Sequence, residues 1–183
     1  MSLTKTPICD FGKKAEDFKL KSTSGKLISL KDIKGENGTL IMFICNHCPY
    51  VKAIILDIVN DCNVIKDIGI NSLAICSNDV DNYPEDSFEK MVDFSKNNKF
   101  SFPYLHDDTQ VVAKNYGAVC TPDFFGYNKN LELQYSGRIR ELKDLKPIRN
   151  GESDLLKAMK LISETQIGPK DQVASMGCNI KWK

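Results

Sequence analysis

Hydrophobic and polar residues follow one another along the chain in patterns that predict short strands and helices. Residues 18–21 and 27–30 alternate between apolar and polar side chains on either side of a turn at 24–26, which is typical of a β-hairpin. Residues 39–45 form a short apolar run, as expected of a central strand covered on both faces. From residue 48 to about residue 66, apolar side chains recur at the three- and four-residue spacing of a helix, at Val51, Ile54, Ile55, Ile58, Val59, Cys62 and Ile65.

The rest of the chain continues with further strands and helices. Strands are predicted at residues 69–76 and 100–106, helices at about 84–98 and 109–116, an antiparallel strand pair at 123–127 and 131–136, and a last helix at about 153–163. This order favours an α/β fold whose sheet is parallel in the middle, antiparallel at one edge and covered by helices. At 183 residues the chain is expected to be a single domain over residues 1–183, with an N-terminal arm at 1–16 and a C-terminal tail at 166–183 that has little structure of its own.

Charge and hydropathy exclude several classes of function. The 25 Lys and Arg residues nearly balance the 24 Asp and Glu residues, so a net charge of +1 supplies no field that would attract nucleic acid or an anionic membrane. The longest uninterrupted apolar run, residues 40–45, is far shorter than the roughly 18 residues that a membrane-spanning helix needs. The first fifteen residues lack the apolar stretch of a secretory signal. We therefore expect a cytoplasmic protein with neither a nucleic-acid nor a membrane partner.

The cysteines suggest chemistry rather than a disulfide scaffold. The chain has seven, an odd number at irregular spacings: Cys9, Cys45, Cys48, Cys62, Cys76, Cys120 and Cys178. This distribution differs from the disulfide framework of a small secreted domain, so most of them are expected to be reduced thiols. Cys62 and Cys76 fall on the apolar faces of a predicted helix and strand and, with Cys9, are interpreted as structural. Cys45 and Cys48 stand apart by their spacing and position.

Cys45 and Cys48 directly follow a predicted buried strand and open the predicted helix. Residues three apart at a helix start can bring their sulfur atoms within bonding reach, and the helix dipole and unpaired backbone N–H groups favour a thiolate there. A fall of about two units in a thiol pKa corresponds to about 2.7 kcal/mol of preferential thiolate stabilisation. A positive charge on His47 would stabilise the thiolate further and make the disulfide more oxidising. The segment Cys45-Asn46-His47-Cys48 therefore predicts thiol–disulfide exchange.

Two other interpretations of this cysteine pair stay open. With seven cysteines in the chain, two can fall at this spacing by chance and serve only as small buried hydrophobic residues. The pair could instead be half of a zinc site, but the sequence has no second pair of cysteines or histidines at a matching spacing, and His106 is the only other histidine. We expect no metal ion and no cofactor.

Five stretches of sequence, the first of which contains the cysteine pair, are similar to a known family. They are Phe43-Ile-Cys-Asn-His-Cys-Pro-Tyr-Val-Lys52, Phe102-Pro-Tyr-Leu-His-Asp107, Tyr116-Gly-Ala-Val-Cys-Thr-Pro-Asp-Phe-Phe125, Gly137-Arg138 and Gly177-Cys-Asn-Ile-Lys-Trp-Lys183. Together they resemble the thioredoxin-like branch of the alkyl hydroperoxide reductase and thiol-specific antioxidant (AhpC/TSA) superfamily, the redoxins. The resemblance covers nearly the whole chain from about residue 17. It implies a thioredoxin-like three-layer sandwich, with a central mixed sheet, an N-terminal β-hairpin and an extra βα insertion. It also implies an antioxidant role in cell redox homeostasis.

The resemblance assigns roles to a second segment. In thioredoxin-like proteins a proline before an edge strand forms a cis peptide bond and lies against the cysteine pair, and Pro122, preceded by Thr121, occupies that position. A sharp turn there would expose a backbone edge to which an extended, thiol-bearing polypeptide can add. Thr121, Pro122 and Cys120 are therefore expected to bind substrate, with Cys120 either a third redox thiol or a buried bystander.

The chain also departs from the patterns of thioredoxins and peroxiredoxins. Asn-His, rather than the Gly-Pro of thioredoxin, separates the cysteines, and no tryptophan precedes them, which favours a narrower or more oxidising couple. Cys48-Pro49 resembles the peroxidatic cysteine and following proline of peroxiredoxins, but the proline and threonine expected seven and three residues earlier are Ile41 and Cys45. Arg138 is a candidate for the anion-stabilising arginine of a peroxidase, and Cys178, in the tail, for a resolving thiol.

The leading hypothesis is a thiol–disulfide oxidoreductase. In it Cys45 is the more exposed, attacking thiolate, Cys48 resolves the mixed disulfide, and His47 tunes the charge. The expected partners are protein or small-molecule disulfides and a thiol or dithiol electron donor. The first alternative is an enzyme that reduces hydroperoxides through Cys48 or Cys45. The second is a copper-carrying module that binds Cu(I) through Cys45, Cys48 and His47, since soft thiolates suit that ion.

Overall fold

The computed structural model describes residues 3–7 and 9–183. In this part of the chain the strands are β1 Leu3–Lys5, β2 Lys19–Ser22, β3 Leu27–Ser29, β4 Gly38–Phe43, β5 Ile70–Cys76, β6 Tyr104–His106, β7 Cys120–Thr121, β8 Asp123–Asn128, β9 Leu133–Ser136, β10 Leu142–Lys143, β11 Lys146–Pro147 and β12 Met176–Asn179. The helices are α1 Leu30–Ile33, α2 Pro49–Lys66, α3 Phe88–Asn97, α4 Val111–Tyr116 and α5 Asp154–Thr165, with a 3-10 helix at Pro84–Asp86. None of the helices in these residues combines the length and hydrophobicity that crossing a bilayer requires.

A seven-stranded mixed sheet forms the middle of the molecule, in the order β3-β2-β6-β5-β4-β8-β9. Its inner strands β6, β5 and β4 are parallel, as expected for strands joined by helical crossovers. β2 pairs antiparallel with β6 on one side, and β8 pairs antiparallel with β4 on the other. The sheet is therefore antiparallel at both edges rather than at one, because the N-terminal hairpin of β2 and β3 joins it.

Helices cover both faces of this sheet and form the α/β sandwich that the sequence predicts. Side chains of β4 point alternately to the two faces: Leu40 and Met42 pack with α2 and α5, whereas Ile41 and Phe43 pack with α4. All residues of β4 are buried, which accounts for the apolar run in the sequence. The loop that follows, residues 44–48, consequently starts at the carboxyl end of a rigid central strand.

Two local features differ from the prediction. The helix expected from residue 84 is divided, because Ser87 has an extended backbone and caps α3 by accepting a hydrogen bond from the Lys90 N–H group. The tail, expected to have little structure, contains β12, which pairs antiparallel with both β1 and β7. This second sheet, β1-β12-β7, joins the N-terminal arm, the tail and the two residues before Pro122.

Candidate functional site

The predicted cysteine pair lies between the central strand and the helix that follows it. β4 ends at Phe43, Cys45 lies in the connecting loop, and Cys48 is the residue immediately before α2, with Pro49 in the first helical position. The two cysteine side chains are hydrogen-bonded to each other, so the fold brings both sulfur atoms together. Only 1% of Cys45 and 0% of Cys48 is exposed. Both thiols are therefore buried, and exposure does not distinguish Cys45 as the attacking thiol that the sequence predicts.

The two thiols differ in acidity. The hydrogen bond with Cys45, helped by the Val51 amide in the first turn of α2, outweighs burial and lowers the pKa of Cys48 to about 5. The same hydrogen bond, then burial and the negative charge of Asp86, raise the pKa of Cys45 well above its ordinary value. The helix start contributes to the same direction, because Cys48 immediately precedes α2 and the Val51 N–H group of its first turn stabilises the thiolate. Of the two thiols Cys48 has the lower pKa, whereas the sequence predicts the thiolate at Cys45.

His47 forms an ion pair with Asp86, a residue of the 3-10 helix. Nδ1 of His47 lies 2.7 Å from Oδ2 of Asp86, and this hydrogen bond raises the pKa of His47. Burial alone would raise the pKa of Asp86, but hydrogen bonds from His47 and Asn78 outweigh it and the pKa is lowered. The His47 ring also stacks on Tyr83, with the ring planes 7° apart. A positive charge on His47 is therefore favoured, as expected, and Asp86 balances it.

Asp86 is the site residue that the sequence did not indicate. Its carboxylate is fully buried and accepts hydrogen bonds from the backbone N–H groups of Asn46 and His47 at 2.8 and 3.3 Å, as well as from two side chains. The side chain of Asn46 accepts a hydrogen bond from the Tyr104 hydroxyl at 3.0 Å. These contacts fix the loop between the two cysteines. In the sequence Asp86 is one of two adjacent acidic residues at a predicted helix start, and nothing local distinguishes it from Glu85.

The second predicted segment packs directly against the cysteine pair. The Thr121–Pro122 peptide bond is cis, as the resemblance implies. The Thr121 hydroxyl lies 3.3 Å from the Cys45 sulfur, and its carbonyl oxygen lies 3.1 Å from the Cys48 sulfur, from which it accepts a hydrogen bond when Cys48 carries its proton. Cys120 is buried, and burial raises the pKa of its thiol. Thr121 thus contacts both sulfur atoms, whereas Cys120 is a neighbour that resists ionisation.

The backbone edge before Pro122 is already occupied, so the expectation of an exposed edge is wrong. β12 pairs with β7 there, with Cys178 opposite Thr121. The Cys178 side chain is buried and hydrogen-bonded to Cys48. Burial, followed by this hydrogen bond, raises the pKa of Cys178 to about 12. A third thiol therefore contacts Cys48, and it comes from the tail.

Arg138 has different surroundings from those expected of an anion-stabilising residue. Its Nε lies 2.7 Å from a carboxylate oxygen of Asp154, at the start of α5, and its guanidinium lies 4.0 Å from Glu141. Within the described part of the chain, no hydrogen bond or ion pair joins Arg138 to Cys45 or Cys48. Its observed contacts tie the loop after β9 to α5.

One group of side chains offers ligand atoms for a metal ion. Atoms of Cys45, His47 and Asp86 lie within 4.8 Å of one another. However, the Asp86 oxygens already accept hydrogen bonds from four N–H groups, one of them Nδ1 of His47. A metal ion at this point would have to displace several of these bonds and leave their donors buried without partners. The group is better described as a hydrogen-bonded ion pair beside the thiols, and a Cu(I) site that used Nδ1 of His47 would have to break it.

Several solved structures are similar to this chain. An uncharacterized conserved protein from Geobacillus kaustophilus is 38% identical, with a TM-score of 0.95, 100% of this chain and 97% of that chain covered. A hypothetical protein from Sinorhizobium meliloti 1021 is 34% identical, with a TM-score of 0.91 and 98% of each chain covered. The thioredoxin domain of a thiol-disulfide oxidoreductase from Bacteroides vulgatus is 17% identical, with a TM-score of 0.60, 70% of this chain and 89% of that chain covered, which shows a shared fold.

A family assignment follows from the sequence comparison. A search of curated proteins found no significant match. The sequence model of the AhpC/TSA family, in contrast, matches residues 11–142, which include the cysteine pair and Pro122. The chain therefore belongs to the AhpC/TSA family and has the thioredoxin-like fold of the redoxins.

Proposed function

We propose that the protein is a thiol–disulfide oxidoreductase that works through a Cys45/Cys48 dithiol–disulfide couple. One observation carries the proposal: two hydrogen-bonded thiols lie at the start of α2, and Cys48 is stabilised as a thiolate. The thiolate is the nucleophile of disulfide exchange, and stabilising it also favours the reduced form, which makes the couple oxidising. A cytoplasmic location, predicted from the sequence, and a role in antioxidant defence and redox homeostasis accord with this chemistry.

The proposed reaction begins when the Cys48 thiolate attacks one sulfur atom of a substrate disulfide. A mixed disulfide forms, and the second substrate sulfur leaves with the electron pair of the broken bond and takes up a proton. Cys45 then loses its proton and attacks the Cys48 sulfur, which forms the Cys45–Cys48 disulfide and releases the reduced substrate. An external thiol or dithiol reduces this bond again. An oxidising couple favours the reverse direction, in which the Cys45–Cys48 disulfide oxidises a substrate dithiol.

The surroundings of Cys45 suit its role in the second step. The hydrogen bond with Cys48 is the largest cause that raises the pKa of Cys45. When Cys48 enters a mixed disulfide, its sulfur loses the negative charge and this hydrogen bond weakens. The pKa of Cys45 then falls at the step in which Cys45 must attack, although burial and the charge of Asp86 still oppose its ionisation.

The proposed reaction requires a substrate to reach the two sulfur atoms, but both are buried in this structure. The part of the site nearest the solvent is His47, whose side chain is 15% exposed. β12 covers the edge of Thr121. A substrate therefore reaches the sulfur atoms only after a local opening of the site.

Serine variants test this proposal in a disulfide-reduction assay with insulin and with a small aromatic disulfide. Cys48→Ser is expected to lose activity, because serine offers no thiolate nucleophile. Cys45→Ser is expected to turn over more slowly, because the thiol that resolves the mixed disulfide is absent. Cys62→Ser changes a buried thiol of the same helix and is the matched control, which should keep its activity. Full activity in Cys48→Ser would contradict the proposal.

Reduction of hydroperoxides is a second candidate, and the burial of an acidic Cys48 thiol favours it. A peroxide needs a smaller opening than a polypeptide to reach the buried Cys48 sulfur. Cys48 would attack a peroxide oxygen, giving a sulfenic acid and water or an alcohol, and a neighbouring thiol would condense with the sulfenic acid, releasing water and forming a disulfide. Ile41 and Cys45 replace the proline and threonine of peroxiredoxins, which weighs against this activity. Stopped-flow consumption of hydrogen peroxide no faster than that of free cysteine would exclude it.

A further inference from the structure

The C-terminal strand β12 occupies the backbone edge beside the cysteine pair. It pairs antiparallel with β7 and places Cys178 opposite Thr121. Gly177 permits this close approach, because a Cβ atom there would lie 2.1 Å from the Thr121 carbonyl oxygen and 3.1 Å from the Pro122 ring. The edge thus already holds an extended, thiol-bearing polypeptide, and that polypeptide is the chain's own tail.

β12 is held in place at both ends. Before the strand, the Thr6 N–H group donates to the Ser175 carbonyl oxygen at 3.0 Å. After it, the Lys181 N–H group donates to the Asn78 side chain at 2.9 Å. Hydrogen bonds within the β1-β12-β7 sheet lie between these two points. Cys178 is therefore kept at a defined position beside Cys48.

Three sulfur atoms meet at this point, with Cys48 as the shared partner. The Cys48 side chain is hydrogen-bonded to Cys45 and also to Cys178. Cys120 lies in the same small sheet and is also buried, but its sulfur contacts the Thr6 hydroxyl, at 3.9 Å. Cys45 and Cys178 are thus both placed to attack the Cys48 sulfur once Cys48 is oxidised.

We infer that Cys178 is a third redox-active thiol, which competes with Cys45 for the bond to Cys48 while β12 stays in place. This inference rests on the proposed function, which supplies the Cys45–Cys48 disulfide. Cys178 loses its proton and attacks the Cys48 sulfur, the Cys48–Cys178 bond forms, and the Cys45 sulfur leaves with the electron pair and takes up a proton. One disulfide replaces another, so the exchange needs no external oxidant or reductant. The tail acts as an internal polypeptide substrate of the site.

Disulfide mapping by peptide mass spectrometry tests the inference, after reduced protein is oxidised with one equivalent of diamide, which takes up the two electrons and two protons of one dithiol. The wild-type protein is expected to contain both Cys45–Cys48 and Cys48–Cys178 bonds. Cys45→Ser should contain Cys48–Cys178 alone, and Cys178→Ser should contain Cys45–Cys48 alone. Cys62→Ser removes a buried thiol of α2 and should reproduce the wild-type pattern.

A second variant tests the placement of β12 with all seven cysteines present. Gly177→Ala introduces the Cβ atom that the Thr121 carbonyl oxygen excludes, so it should lose the Cys48–Cys178 bond and keep the Cys45–Cys48 bond. Circular dichroism checks that each variant is folded. If Gly177→Ala does not fold, the disulfide bonds found in Cys45→Ser alone test the inference. A Cys45–Cys48 bond in the wild type without any Cys48–Cys178 bond in Cys45→Ser would overturn this inference alone. The absence of both bonds from the wild type would overturn the proposed function as well.

Discussion

Cys45 and Cys48 are three residues apart, yet they hold their protons differently. Cys48 lies at the start of α2, where backbone N–H groups lack helical partners, whereas Cys45 lies in the loop before it and close to the Asp86 carboxylate. The positive charge of His47, from which the sequence predicts a further stabilisation of the thiolate, is paired with Asp86. Hydrogen bonds to the Cys48 sulfur, rather than the histidine charge, are therefore the main causes that lower its pKa.

The ionisation of Cys48 can be measured without chemical access to the buried site. Ultraviolet absorbance of the thiolate should rise with pH in a step centred at about pH 5, since the thiolate predominates above the pKa. This step should be absent from Cys48→Ser and unchanged in Cys62→Ser, because burial raises the pKa of Cys62 to about 12. A wild-type protein whose first thiolate step lies near the ordinary value of about 8.5 would contradict the assignment.

Asp86→Asn tests the ion pair that holds the loop between the cysteines. The pKa of His47 should fall toward its ordinary value of 6.5, because its largest raising cause is the hydrogen bond with Asp86. A proton NMR titration of the imidazole measures this, and His106, the other of two histidines, serves as an internal control. The variant should also lose on the order of 1–3 kcal/mol in the free energy of unfolding, because an amide NH2 group replaces one of the two acceptor oxygens and leaves buried donors without a partner. An unchanged His47 pKa would show that the ion pair with Asp86 does not determine the charge of His47.

Between elements, Asp123 connects the arm and the tail to the cysteine site. It opens β8 directly after Pro122, and its buried carboxyl accepts a hydrogen bond from the Thr6 hydroxyl at 2.6 Å. Burial raises the pKa of Asp123 from the ordinary 3.8 to about 7, against hydrogen bonds that include Thr6 and Ser175. Ser175 and Thr6 lie next to β12 and β1, so this one carboxyl contacts both segments that close the site.

The pH dependence of stability should reveal this buried carboxyl. Between pH 3.8 and about pH 7 the unfolded chain releases the Asp123 proton while the folded chain keeps it, so the residue's contribution to stability is lost as the pH rises. Asp123→Asn should remove this contribution, on the order of 4 kcal/mol over the interval. Urea unfolding of both proteins across the pH range measures the difference in slope. Parallel curves would contradict the raised pKa.

Over the whole molecule, local patterns predict the parts whose neighbours are close in sequence. The apolar run of β4 and the helical spacing of α2 place the cysteine pair at a strand-to-helix junction, and α2 ends where the pattern predicts, at Lys66. The motif around Pro122 was identified through resemblance, since only the family pattern links it to residues more than seventy positions earlier. These elements carry strong periodicity or a distinctive motif, so tertiary contacts do not override them.

The missed features all depend on contacts between distant residues. β12 has too few residues for its alternation to be recognised, and it forms only because β1 and β7 supply its hydrogen bonds. Asp86 reaches the Asn46 N–H group across 40 positions of sequence. The sequence predicts an exposed Thr121 edge for the same reason, because β12, which covers that edge, comes from the far end of the chain.

Redox titration in glutathione buffers tests whether Cys48 is the reactive thiolate of a disulfide couple. Acid quenching, denaturation and alkylation make the buried thiols countable by mass. We expect a reversible two-electron transition at a potential above the value of about −270 mV for thioredoxin, and no such transition in Cys48→Ser. A protein in which Cys48 stays reduced throughout, or a transition that survives in Cys48→Ser, would contradict it.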